Sequence, residues 1–169
     1  LDYISTGKTE AAEFIFEDFF KQLLIKKHYS FNDLLLAKYY AIQYQNKDYK
    51  ETIMETLETA ILQQSVSGDE YYNIELLGAL TAIAGVYLDH AEYSKLKNLV
   101  DRMHEVIEET QQHSAKPIVL IYEAKYYLYS EQNKEKAKGC YDLAALLAQN
   151  FGDDVLETNI EAERKKDQV

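Results

Sequence analysis

Apolar residues recur along this chain at three- and four-residue intervals, the period of helices that bury one face. In the first segment Ala12, Phe16, Phe19, Leu23 and Leu24 share a face, with Glu13, Glu17, Lys21 and Lys26 mostly opposite, which predicts a helix over about 8–27. His28-Tyr29-Ser30 interrupts the pattern. Ser30 is placed to cap a second helix over about 31–46, with Asp33 where a side chain reaches back to the cap. Asn46-Lys47-Asp48 turns the chain into a third helix ending near 65. Ser67-Gly68-Asp69 is the clearest break, and helices over about 70–89 and 92–112 follow it. His113-Ser114-Ala115-Lys116-Pro117 is the next boundary, with proline in a first helical turn. Helices over about 117–131 and 134–150 come next, and Gly152 stands just past the second. Asp153 or Asp154 caps a last helix, whose Arg164-Lys165-Lys166 run places cations at the negative end of its dipole. The charged tail beyond about 162 is expected to fray. The chain reads as all-α, about eight helices with short connections, in one domain over 1–169.

The helices pair into repeats. Ala41, Ala84 and Ala124 are each followed three residues later by a tyrosine: Tyr44, Tyr87 and Tyr127. Ile53, Leu57 and Ala60 align with Leu96, Val100 and Met103 and with Ala137, Tyr141 and Ala144, all at i, i+4, i+7 spacing. The alanine lets two helices approach, and the tyrosine one turn later fills the widening gap while its hydroxyl reaches a polar group. The third unit carries one extra residue in its turn.

This pattern resembles the tetratricopeptide repeat, best in the third unit and weakest in the first. It departs from that repeat in its longer period, of 40 to 43 residues, and in lacking Trp at the unit starts and Pro at the unit ends. The resemblance implies a right-handed solenoid of antiparallel helix pairs.

Composition agrees with few, long elements: glycine and proline together number seven in 169 residues. The net charge of −11 argues against contact with phosphate backbones or anionic membrane surfaces, since such binding is built from Lys and Arg. The single cysteine, Cys140, forms no internal disulfide, no apolar run is long enough to span a membrane, and no signal peptide is visible. A cytoplasmic location is therefore expected.

No set of residues reads as catalytic, and no motif asks for a cofactor or a metal. His104-Glu105-x-x-Glu108 holds half of a zinc-protease pattern but lacks the second histidine, so a solvated helix face is the plainer reading. Cys140, beside Tyr141 on a buried stripe, has no cation placed to activate it. The anomaly is 15 tyrosines, several of them adjacent: Tyr39-Tyr40, Tyr71-Tyr72 and Tyr126-Tyr127-Leu128-Tyr129. Neighbours on a helix point about 100° apart, so one of each pair lies at an edge, a groove or an interface.

In a paired-helix solenoid the first helices line the inner surface. Aligned on the alanines, the inward positions are Lys38, Ile42, Gln45 and Asn46, then Thr81, Gly85, Leu88 and Asp89, then Lys125, Leu128 and Tyr129. Gln45 and Asn46 offer amides to an extended peptide backbone, and Lys38 and Lys125 offer charge to a carboxylate. Gly78 and Gly85, seven apart on one face, cost about 1 kcal/mol each relative to alanine, which a close helix or a ligand against bare backbone would offset. The ligand-binding set expected from the sequence is Lys38, Gln45, Asn46, Thr81, Gly85, Asp89, Lys125 and Tyr129.

Degenerate, Tyr-rich, acidic repeats of this length resemble the C-terminal domains of Rgg/PlcR-type bacterial regulators. The resemblance implies a homodimerising, quorum-sensing domain of a transcription regulator that takes a short signalling peptide on its concave face. Its DNA contacts would come from an N-terminal helix-turn-helix domain absent from this chain, which begins with Leu1. Two competing readings are a generic scaffold for protein partners and a phosphatase-type regulator, the latter without a residue to orient the attacking water.

Overall fold

The computed structural model describes residues 18–44 and 51–169. Among them the chain is all-helical. Helix α1 covers 18–24. It is followed by α2 (Phe31–Tyr44), α3 (Glu51–Leu62), α4 (Glu70–Asp89), α5 (Leu96–Thr110), α6 (Lys116–Lys125), α7 (Lys134–Phe151) and α8 (Asp154–Asp167). Helix pairs α2/α3, α4/α5 and α6/α7 follow one another, and α8 packs on α7.

Local chemistry sets the boundaries. Ser30 and Asp33 close a reciprocal cap: Asp33 accepts from the Ser30 N–H at 2.9 Å, and Ser30 Oγ accepts from the Asp33 N–H at 3.3 Å. Asp69 Oδ1 accepts from the Tyr71 N–H, Asn133 Oδ1 from Lys136 and Asp153 Oδ1 from Leu156, so α4, α7 and α8 each begin on a side-chain cap. Gly152 ends α7 in the left-handed region at φ 70°, where the N–H groups of Gly152 and Asp153 reach back to Gln149 and Ala148. Two boundaries are tighter than expected: 3₁₀ turns at Tyr93–Lys95 and His113–Ala115 lead into α5 and α6. Helix α6 also runs on through a π-helical turn, Tyr126–Ser130, whose wider i+5 bonding accommodates the extra residue of the third unit.

The repeat stripes form the core. Ala41, Ala84 and Ala124 are fully buried, as are Leu57, Leu96, Leu99, Met103, Ala137, Tyr141 and Ala144. Tyr87 is buried with them and donates its hydroxyl to Glu58 at 2.6 Å. Two expectations need correction. On α1 it is Phe20, not Phe19, that faces inward: Phe20 stacks on Tyr40 with ring centroids 3.5 Å apart, while Phe19 is 57% exposed. Helical spacing puts Phe19 and Phe20 about 100° apart on either edge of the stripe, and the stacking on Tyr40 is what turns Phe20 inward. Ala12, Phe16 and the 46–48 turn lie outside the described residues.

The second correction concerns the tail. It does not fray at 162, because α8 continues to Asp167, whose carboxylate is buried at the end of the helix. That carboxylate accepts from the hydroxyls of Tyr141 (2.5 Å) and Tyr129 (2.6 Å) and from Lys125 Nζ (3.1 Å). Four polar groups from three helical segments thus satisfy one another, around a carboxylate and a Tyr141 that are buried, while Tyr129 stays 42% exposed.

Partner charges predict how stability responds to acid. The hydrogen bond with His104 holds the Glu123 carboxyl below its usual range, and hydrogen bonds from Lys125 and Lys166 do the same for Glu163. Burial opposes the shift at Asp33, yet hydrogen bonds from Lys26 and Ser30 still bring it down. Each group adds stability above its unfolded pKa, about 4, and loses it as pH falls through the lower folded value. Glu58, pushed up by burial, acts in the opposite sense and is outnumbered by the lowered carboxyls. The melting temperature is therefore expected to hold from about pH 7 to about pH 5 and to fall between about pH 4.5 and about pH 2.5. Thermal unfolding followed by circular dichroism checks this, and Glu123→Gln should flatten the acid limb.

Candidate functional site: the groove between α4 and α6

Helix α4 packs closely on α2 and α5, and α6 on α5 and α7, but α4 and α6 scarcely touch. The space between them is a groove of about 760 Å³, within the range of small-ligand and peptide sites. One wall is α4 from Glu70 to Ala82, with Ile74, Leu77, Gly78 and Thr81 between. The other is Ala115, Ile118, Val119 and Tyr122, at the start of α6. Ile42 of α2 closes one side, and Gln112 and Ser114 the end near Glu70. The twelve steps of α4 from Glu70 to Ala82 rise about 18 Å, the length of five or six residues of extended chain.

The lining is apolar with a few polar groups at fixed places. Ile42, Ile74 and Ile118 are 40–46% exposed there. Tyr122 contributes a phenol that burial, then the charge of Asp89, pushes up to about 12, so it remains a donor. Thr81 Oγ1 is already committed, donating to the Leu77 carbonyl at 2.8 Å. Gln112 Oε1 is buried and accepts no hydrogen bond among the described residues.

The residues expected from the sequence separate into groups. Thr81 lines the groove. Lys38 borders it at Gly78, with its ammonium 2.5 Å from Glu75. Asp89 is exposed, within electrostatic reach of Tyr122. Gly85 is buried inside α4. Lys125 and Tyr129 are brought together elsewhere. Lys125 pairs with Glu163 and Asp167 of α8, while Tyr129 stacks on Tyr93 at 4.6 Å and donates to Asp167. Gln45 and Asn46 lie outside the described residues.

The expected site set did not contain Ile74, Leu77, Ala82, Ile118 and Tyr122. Their signal is that large apolar residues of the first helices continue the stripe Ile74-Gly78-Thr81 and Ile118-Tyr122 one or two turns toward the helix N-termini. Among the groups set aside earlier, His104 pairs with Glu123 at 3.0 Å. Burial pushes the Cys140 thiol up to about 12, an unreactive state. Tyr39 and Tyr71 are the exposed members of their pairs, and Tyr40 is buried.

Antiparallel helix pairs, buried alanines where they cross and an elongated apolar groove between first helices define a tetratricopeptide-like helical domain. The profile of the ComR tetratricopeptide matches residues 1–164, and the chain belongs to this family. The competence regulator ComR from Streptococcus vestibularis, solved in complex with its cognate signalling peptide XIP, is 39% identical, with a TM-score of 0.86 over 93% of this chain and 53% of that one. ComR from S. thermophilus, solved with DNA and its signalling peptide ComS, is 37% identical, with a TM-score of 0.86 over 93% of this chain and 54% of that one. The apo form of the S. vestibularis protein is 38% identical, also at 0.86, over 95% and 54%. The chain thus spans about half the length of these structures. No curated protein matches it.

Proposed function

We propose that this chain is the ligand-sensing domain of a peptide-responsive transcription regulator, and that a short extended peptide lies in the groove between α4 and α6. The observation that carries this reading is the groove itself: open, apolar, about 18 Å long by helix rise, in a fold shared with relatives solved in complex with signalling peptides. Isoleucine-rich walls suit apolar peptide side chains, and the unpartnered Gln112 Oε1 suits a peptide N–H. Peptide binding then shifts the helical array between two states, and the shift is read by DNA-binding and dimerisation surfaces of the whole protein. On this reading the chain carries no catalysis, meets DNA only through a helix-turn-helix domain outside it, and works as a homodimer in the cytoplasm. None of the described helices is long and apolar enough to cross a membrane.

Methyl NMR during titration with pooled synthetic peptides of about eight residues tests this. The methyls of Ile42, Ile74, Leu77 and Ile118 are expected to shift while those of Leu143 and Leu146, exposed on α7, stay in place. Shifts confined to α7, or binding only to a folded protein partner, would replace the peptide sensor with a docking scaffold.

A further inference from the structure

Lys38 leaves α2 and lays its stem across the bare Cα of Gly78 on α4. A Cβ at position 78 would stand 2.9 Å from Lys38 Cδ and 3.5 Å from its Nζ. The ammonium ends on Glu75, one turn earlier on α4, at 2.5 Å. Both side chains are largely shielded, at 24% and 14% exposure. The atoms nearest that Cβ position are side-chain atoms of Lys38 and Glu75, not the backbone of a neighbouring helix. The close approach of α2 to α4 therefore does not require the glycine, whereas the path of the Lys38 side chain does. Gly78 also lines the groove, where Glu70 is the one charged residue among the described lining residues. In a chain of net charge −11, an anion entering this groove needs a cation presented to it, and Lys38 stands at its border against Gly78.

We propose that Lys38 is the anion-recognising, specificity-determining residue of the groove, and that Glu75 occupies it when no ligand is bound. The inference rests on the peptide reading given above. A ligand carboxylate that reaches Gly78, either the peptide C-terminus or an acidic side chain, competes with Glu75 for the ammonium. Gly78 leaves the gap in which that exchange occurs. Affinity for such a ligand is the strength of its contact with Lys38 less that of the internal pair it displaces.

The two partners of the internal pair thus have opposite effects. The probe is a set of fluorescein-labelled synthetic octapeptides, as free acids and as C-terminal amides, with and without internal Asp or Glu. Binding to the 169-residue chain is followed by anisotropy, with circular dichroism to verify folding. Free acids are expected to bind about tenfold more tightly than amides, an effect of the size of one charge-assisted contact. If only peptides with internal Asp or Glu show the advantage, the carboxylate is a side chain. Lys38→Met is expected to lose the advantage, and Glu75→Gln to increase it about threefold. A variant pair that weakens binding in the same direction would mark the ion pair as merely structural and overturn the proposal. So would acids, amides and acidic peptides that all bind the wild type alike, a comparison that needs no variant. A wild type that binds none of the peptides would overturn the peptide reading itself, and this inference with it.

Discussion

Asp167→Ala is expected to cost about 3–5 kcal/mol, the cost of removing one partner from a buried, charged hydrogen-bonded cluster. The side chain of Asp167 is 2% exposed. Its loss leaves the Tyr141 hydroxyl, itself in a fully buried residue, without its acceptor, and leaves the Lys125 ammonium with Glu163 alone. At 2–4 °C per kcal/mol for a chain of this size, the melting temperature drops by about 10 °C. Asp167→Asn keeps an acceptor but not the charge, so it should cost about half as much. Burial and the bond to Asp167 push the Tyr141 hydroxyl far up, which keeps it a donor at every working pH. Hydrogen exchange should show the loss concentrated in α8 and the facing turns of α6 and α7, the helices that the cluster joins. Uniform loss of protection, or a change below about 1 kcal/mol, would show that α8 is held by apolar contacts such as Ile160 rather than by this cluster.

The second large effect is on binding. Ile118→Glu is expected to weaken peptide affinity by at least about 100-fold, or about 2.7 kcal/mol, because it places a carboxylate in an apolar wall that the ligand must desolvate. Ile118 is 40% exposed in the empty groove and glutamate is a good helix former, so the folding cost stays near about 0.5 kcal/mol. Ile25→Glu, at an 82% exposed position after α1, is the matched control and should bind as the wild type does. Isothermal titration of the three proteins with one peptide selected by the wild type decides the matter. Equal affinities would place the ligand elsewhere than between α4 and α6.

Much of the architecture was legible because it is local. Ser30 with Asp33, Asp69 and Gly152 act within one helical turn of where they stand, and the capping geometry follows. Ala41, Ala84 and Ala124 mark crossing points because only a small side chain admits a neighbouring helix there. The site was legible only in part. The inward stripe of α6 passes through Ile118, Tyr122 and Lys125 at i, i+4, i+7, yet its C-terminal end is covered. Lys125 and Tyr129 meet Asp167, 38 or more residues away in sequence, and no spacing rule links them. The open part of the groove lies one or two turns nearer the helix starts.

What the sequence determined by itself is the class of the protein: helices in pairs, small residues where they cross, an acidic surface and family membership through a profile match over residues 1–164. These depend on intervals of one or two turns, which any stretch of chain displays. What only the tertiary structure decided is which parts of those faces remain free. Asp167 on Tyr141, Phe20 on Tyr40 and Lys38 over Gly78 are contacts between residues far apart in the chain. Each depends on the rotation and spacing of two whole helices, set by the sum of the packing between them, so a groove exists only where that packing leaves α4 and α6 apart.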